Sequence, residues 1–251
     1  MSTEQRCPRI LIVQTGSAGV LVPTHGDYPD WFRRTLGPED LELPVLRAAP
    51  ELGGEKLDRE AIFRSRARGI IVTGSPHSVT DSAPWMDELG EALLQAGARG
   101  TPVLGVCFGH QLLGRAAGGD VALNPRGREI GTVHVQLTEA GRRDPLFAWS
   151  EAGEIEVQAT HVDAVLPLPQ RATLLASNER CATQAMRLSE TVAAVQFHPE
   201  LSAGALRELI RSRAEKMIAE GMDPVAAEAA VRESQTGARI LRAFAEQVRH
   251  A

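Results

Sequence analysis

Cys107 lies in the frame Gly105-Val-Cys-Phe-Gly109, after a continuous apolar run (residues 102–106, PVLGV) and ahead of an amphipathic stretch (residues 109–117). That pattern is a nucleophile elbow: a sharp strand-to-helix turn strains the central residue, and small neighbours permit the close approach. A thiol there stands exposed at the carboxyl edge of a sheet. It also faces the free N–H groups of a helix start, which favour thiolate over thiol. A buried core cysteine is the bland alternative, and the turn chemistry around Cys107 outweighs it. A thiol nucleophile needs a base and a group that orients the base. Of the seven histidines, His198 is placed best, at the end of the run 192–197 (VAAVQF). A parallel sheet delivers its strand ends to one edge, where His198 can meet Cys107. Glu200, two residues on, projects to the same side in extended backbone and can accept from the imidazole. Pro199 stiffens the link. His-x-Glu alone is a weak signal; joined to the elbow it predicts a triad for attack on a carbonyl.

The elements that must position these groups are legible as alternating short β-branched runs and helical patterns, the mark of βα units. Residues 9–13 (RILIV) read as a buried first strand, 41–46 as a weaker one, and 69–72 (GIIV) as a second firm strand. Residues 57–67 read as a short helix. In 81–98, Trp85, Leu89, Ala92, Leu93 and Ala96 repeat at helical spacing. From 131 to 194 the pattern changes: 132–138, 155–158 and 173–176 read as strands with few helices between, an antiparallel patch. Beyond Leu201 no strand signal remains. Leu206, Leu209, Ile210, Met217 and Ile218 form one helical stripe, and Asp223-Pro224 starts a further helix. The expected organisation is one α/β domain over 1–203, with an open, mainly parallel sheet flanked by helices. A helical extension over 204–251 is expected to pack on it.

Composition narrows the function classes. The 251 residues carry 27 Lys and Arg against 32 Asp and Glu, a net charge of −5, which leaves no footprint for nucleic acid or an anionic membrane. No stretch approaches the ~20 apolar residues of a membrane span. Three scattered cysteines make neither a disulfide framework nor a metal clip, and the first residues lack a secretory signal, so a cytoplasmic protein is expected. Gly16-Ser-Ala-Gly19 is not a dinucleotide fingerprint, and no zinc motif is present, so neither metal nor cofactor is expected.

These residues resemble the class I glutamine amidotransferases of the Cys-His-Glu type, closest to the glutaminase part of GMP synthetase. The resemblance rests on Val72-Thr-Gly-Ser-Pro-His-Ser-Val79, Gly105-Val-Cys-Phe-Gly-His-Gln111, Asn124-Pro-Arg-Gly-Arg-Glu-Ile-Gly131, Thr160-His-Val-Asp163 and Val195-Gln-Phe-His-Pro-Glu200. These matches span roughly residues 9 to 203 in the family's order, and the Cys and His motifs form a highly specific pair. The resemblance implies a flavodoxin-like sheet with Cys107 as nucleophile, His198 as general base and acid, and Glu200 orienting it. It implies backbone N–H groups of Ser75 and Phe108 as an oxyanion hole. Gly74 and Gln111, with Thr160, His161, Val162 and Asp163, would hold the glutamyl end of the substrate. His110 and His161 also admit a purely structural reading. Where the family commonly has Gly-Gly-Pro, this chain has Gly74-Ser75-Pro76. Positive φ at Ser75 would add strain of roughly 1–2 kcal/mol; negative φ would add none.

The expected reaction is hydrolysis of the L-glutamine γ-amide to glutamate and ammonia through a Cys107 thioester, in a stand-alone module. Ammonia could pass to an unidentified acceptor enzyme. Two alternatives stay open: a γ-glutamyl peptide or conjugate hydrolase with the same triad, which needs a wider pocket mouth, and a non-catalytic binding or regulatory module. Oligomeric state is not legible.

Overall fold

The computed structural model describes residues 7–37, 41–53 and 58–251. Residues 1–6 and Leu57 of the expected short helix lie outside the described residues. Eleven strands form among the described residues: β1 (Ile10–Gln14), β2 (Val45–Arg47), β3 (Gly69–Val72), β4 (Val103–Val106), β5 (Val121–Leu123), β6 (Glu129–Leu137), β7 (Glu154–His161), β8 (Asp163–Val165), β9 (Thr173–Ser177), β10 (Ala185–Arg187) and β11 (Val192–Val195). Nine of them make one sheet in the order β2-β1-β3-β4-β11-β10-β9-β6-β7, and β5 pairs with β8 apart from it. From β2 to β11 all neighbours are parallel; from β11 to β7 all are antiparallel. The sheet is therefore mixed, with the antiparallel patch where the change of pattern after residue 131 placed it.

The helices are α1 (Val22–His25), α2 (Tyr28–Leu36), α3 (Arg59–Arg64), α4 (Pro84–Ala98), α5 (Phe108–Ala116), α6 (Glu139–Arg143), α7 (Ala203–Ser212), α8 (Ala214–Ala219), α9 (Pro224–Ala229) and α10 (Thr236–His250). They cover both faces of the parallel half, which is why β1, β3, β4 and β11 are buried throughout. Along β1 the side chains alternate between two cores: Ile10 and Ile12 pack with Phe32 of α2 and Phe244 of α10, whereas Leu11 and Val13 pack with Leu89 of α4 and Leu112 of α5. A third cluster gathers Leu206, Leu209 and Ile210 of α7 with Leu21, Trp31 and Met217. None of these helices is long and apolar enough to cross a membrane.

Several boundaries move from their expected positions. The helix expected from residue 81 begins at Pro84, because residues 79–81 form a separate 3-10 turn and Ser82 takes positive φ. The strand at 41–46 contracts to Val45–Arg47, extended only by a bridge from Glu42 to Arg9. The strand expected to reach Phe197 ends at Val195, after which Gln196 N–H turns to the Gln184 carbonyl. Helix α2 buries an apolar stripe of Trp31, Phe32 and Leu36, and its start is fixed by a capping box in which Asp27 and Asp30 satisfy the first N–H groups.

Candidate active site

The sheet register brings the expected triad to one edge. Val72 pairs with Gly105, and Val106 pairs with Val195. Gly74, Cys107 and His198 thus follow the carboxyl ends of three adjacent parallel strands, the usual position for a ligand crevice in such sheets.

Cys107 has φ 51 and ψ −99, one of three non-glycine residues with positive φ among the described residues. Such backbone costs on the order of 1–3 kcal/mol and persists only where surroundings impose it. Here the Cys107 N–H donates to Val195 O (2.9 Å), and the Cys107 carbonyl accepts from Gln111 N–H (3.1 Å). The flanking glycines are needed for space. A Cβ on Gly105 would lie 2.5 Å from Gly109 O, and one on Gly109 would lie 2.8 Å from Val72 O. The strand-turn-helix corner closes only if both lack side chains.

His198 Nδ1 donates to Glu200 Oε1 (2.7 Å), and both side chains are buried. Burial alone lowers the His198 pKa. The charges of Glu200 and then Cys107, with hydrogen bonds to both, outweigh it and push the pKa up to about 10. The ring therefore holds its proton at neutral pH beside the sulfur. Gly74 makes room for it: a Cβ there would lie 2.8 Å from His198 Cε1 and 3.6 Å from the Tyr28 ring. Ser75 lies outside the positive-φ residues, so the Gly-Ser-Pro loop carries no left-handed strain. Its hydroxyl donates to Thr15 O (2.8 Å) and accepts from His77 N–H. Among the described residues, neither the Ser75 nor the Phe108 N–H has a protein acceptor.

Cys107 is buried, not exposed as expected, because the loops and helices beyond the sheet edge close over it. It lines two cavities that meet at Ser75, Pro76, Thr160 and Arg213. One, of about 200 Å³, is lined by Ser78, Phe108, Gln111 and the 160–163 segment. The other, of about 220 Å³, contains His198 and is walled by Leu21, Tyr28, Trp31, Leu201 and Leu209. All the residues expected to hold a glutamyl group, Gly74 excepted, line the first. Gln111 Nε2 is committed to Asp163 O (3.0 Å) and Gln196 Oε1 (3.1 Å). Asp163 Oδ2 accepts from Ser78, Val162 O accepts from Asn124 N–H, and Thr160 O faces Cys107 Sγ at 3.9 Å.

The His161 ring is fully engaged: Nδ1 lies 3.0 Å from Asp163 O and Nε2 2.8 Å from Glu129 Oε2. Glu129 also accepts from Asn178 and Gln184; burial raises its pKa, but the hydrogen bond and charge of His161, then these two bonds, hold its carboxyl below the usual range. His161 thus offers a ligand its backbone, with the ring fixing the shape of the loop. His110 is wholly buried, with neither ring nitrogen hydrogen-bonded among the described residues. Burial first, then the charge of His161, brings its pKa down to about 3, so it is neutral. Among the described residues no group of three His, Cys, Asp or Glu side chains is arranged to hold a metal ion.

Tyr28, Trp31, Leu21 and Arg213 are absent from the motif-based expectation yet line the Cys107 cavities. For Tyr28 and Trp31 the sequence signals are the Asp27-x-x-Asp30 box that starts α2 and the helical spacing of Tyr28, Trp31, Phe32 and Leu36, which read as core rather than as a site; Leu21 and Arg213 carry no local signal.

Comparison with known proteins bears on the family and the fold. The model of the family "Glutamine amidotransferase class-I" matches residues 47–216. "Gamma-glutamyl peptidase 3" of Arabidopsis thaliana is 30% identical over 213 residues, 82% of this chain and 82% of that protein. "GMP synthase [glutamine-hydrolyzing]" of Aeropyrum pernix is 37% identical over 136 residues, which are 54% of this chain but only 25% of that protein. Among solved structures, a glutamine amidotransferase from Thermotoga maritima superposes with TM-score 0.72 at 19% identity, covering 98% of this chain and 99% of the other, and so supports the fold. The chain belongs to the class I glutamine amidotransferase family.

Proposed function

We propose that this protein hydrolyses γ-glutamyl amide bonds through a Cys107 thioester, and that its substrates release an amine larger than ammonia. The single observation that carries the reading is the position of Cys107 between two cavities. A glutaminase needs one pocket for the glutamyl group and room for ammonia alone. The second cavity has space for several water molecules at about 30 Å³ each, and its walls are aromatic and aliphatic. The Arabidopsis γ-glutamyl peptidase, matched over most of both chains, supports the same reading.

Each step uses a group described above. Cys107 attacks the side-chain carbonyl as thiolate, and the carbonyl oxygen turns toward the Ser75 and Phe108 N–H groups. Such a donor typically lowers a barrier by ~3–4 kcal/mol. The imidazolium of His198 gives its proton to the departing amine as the C–N bond breaks, leaving a glutamyl thioester. His198 then takes a proton from water, which adds to the thioester, and C–S cleavage frees glutamate. Glu200 holds the ring throughout.

Glutamine hydrolysis is the second reading, favoured by the match to the glutaminase segment of GMP synthase. Initial rates on glutamine and on γ-glutamyl dipeptides, with Cys107→Ala as control, separate the two. Dipeptide turnover well above glutamine is expected. Turnover of glutamine alone would reverse the order. No turnover of either, and no labelling of Cys107 by an electrophilic glutamine analogue, would leave a binding module.

A further inference from the structure

Arg213, just beyond the end of α7, lines both cavities. It forms no ion pair with any carboxylate among the described residues. Its one side-chain hydrogen bond runs from Nη1 to Thr160 Oγ1. The arrangement next to it is the opposite: Arg128 is gripped by Glu220 through two bonds, of 2.7 and 2.9 Å. Arg213 is half-buried, and a guanidinium partly withdrawn from water without a carboxylate partner is costly, so such groups are ordinarily paired. Burial indeed pulls the Arg213 pKa below the ordinary arginine value.

The two cavities differ in their supply of charge. Around the glutamyl side stand Arg128 and Lys216 as well as Arg213, together with the Asp163 side chain. On the His198 side the walls are Leu21, Tyr28, Trp31, Leu201 and Leu209; protonated His198 is already paired with Glu200, and among the described residues Arg213 is the only arginine or lysine there. An occupant that satisfies this second cavity has an apolar or aromatic body and one carboxylate. The amine released on this side of Cys107 is then itself an amino acid.

We infer that Arg213 is a specificity-determining residue that pairs with the carboxylate of the leaving group, so that the preferred substrates are γ-glutamyl derivatives of apolar or aromatic α-amino acids. The inference rests on the γ-glutamyl hydrolase reading above and deepens it. A planar fork suits a carboxylate because both oxygens can accept at once. Tyr28 and Trp31, edge to face at 5.1 Å, supply a surface for the side chain of the released residue.

The test compares γ-glutamyl-phenylalanine with γ-glutamyl-phenethylamine, which is the same substrate without the carboxylate. In the wild type kcat/KM for the first is expected to exceed the second by on the order of 100-fold, the scale for losing one partner of a desolvated charge pair. In Arg213→Met the ratio should collapse toward one, and in Arg213→Lys it should be intermediate. A wild-type ratio near one, or a ratio that survives in Arg213→Met while both rates fall together, overturns the inference. In either case the γ-glutamyl hydrolase reading stands, because both compounds are still turned over. If glutamine is hydrolysed and neither compound is, that underlying reading fails and this inference with it.

Discussion

Gly237, the second residue of α10, abuts the carbonyl group of Pro199: a Cβ built on it would lie 2.1 Å from the Pro199 oxygen and 2.8 Å from its carbon. The His198–Glu200 link is therefore wedged from behind by a helix that lies beyond the residues matched by the family model. Any side chain at 237 must push either that link or the helix. Gly237→Ala is expected to lower kcat/KM at least about tenfold and to destabilise by roughly 1–3 kcal/mol, the usual scale of overpacking. Steady-state kinetics and thermal melting read both effects. Unchanged values would mean that α10 yields freely and does not fix the link.

The pKa of His198 makes a signed prediction. Its folded value, about 10, lies above the ordinary 6.5. The stabilisation from its partners is thus fully present below about pH 6.5 and is lost as pH rises through about 10. Burial opposes the shift, and the Glu200 charge is the largest contribution that raises it. Glu200→Gln should move the alkaline limb of kcat/KM toward neutral pH and shrink the stability lost across that window. Profiles of kcat/KM and urea midpoints against pH give the answer. An alkaline limb that stays in place in Glu200→Gln counts against Glu200 as the charge that holds the proton on His198.

How much of this was legible in the sequence depends on how local the signal is. Cys107, its two glycines and the His198–Glu200 pair were readable because turn sterics and strand ends act over a few residues. The parallel strands β1, β3, β4 and β11 are continuous apolar runs and were equally plain. Tyr28, Trp31 and Arg213 were not, because their role comes from tertiary placement: the Tyr28-Trp31-Phe32-Leu36 stripe of α2 reads only as core, and Arg213 follows an ordinary amphipathic helix. Short strands such as β10 exist only through their neighbours and leave little periodicity. The width of the second cavity depends on how α2 and α7 lean over Cys107, which no motif encodes.

Gln111 should reveal whether the amide bonds between Asp163 and Gln196 shape the glutamyl pocket. Gln111→Leu leaves Asp163 O and Gln196 Oε1 without this donor, a cost of roughly 1–3 kcal/mol for a buried acceptor. KM for a γ-glutamyl substrate should rise by more than kcat falls, because the reacting atoms lie elsewhere. Steady-state kinetics decide it: a loss confined to kcat would place the effect on the elbow through Cys107 instead.

The backbone strain at Cys107 can be measured without any substrate. Cys107→Ala and Cys107→Gly both remove the sulfur, so their difference reports the main chain at φ 51 and ψ −99. Alanine must bear a cost on the order of 1–3 kcal/mol in that region, whereas glycine bears almost none. Glycine in turn loses more freedom on folding, by roughly 0.4–1 kcal/mol. The balance favours glycine by about 1 kcal/mol, which for a chain of this size raises the melting temperature by roughly 2–4 °C. Calorimetry on the two proteins is the measurement. If Cys107→Ala melts at the same temperature or higher, the corner stores no strain, and substrate access to the buried thiol depends on the surrounding cavities alone.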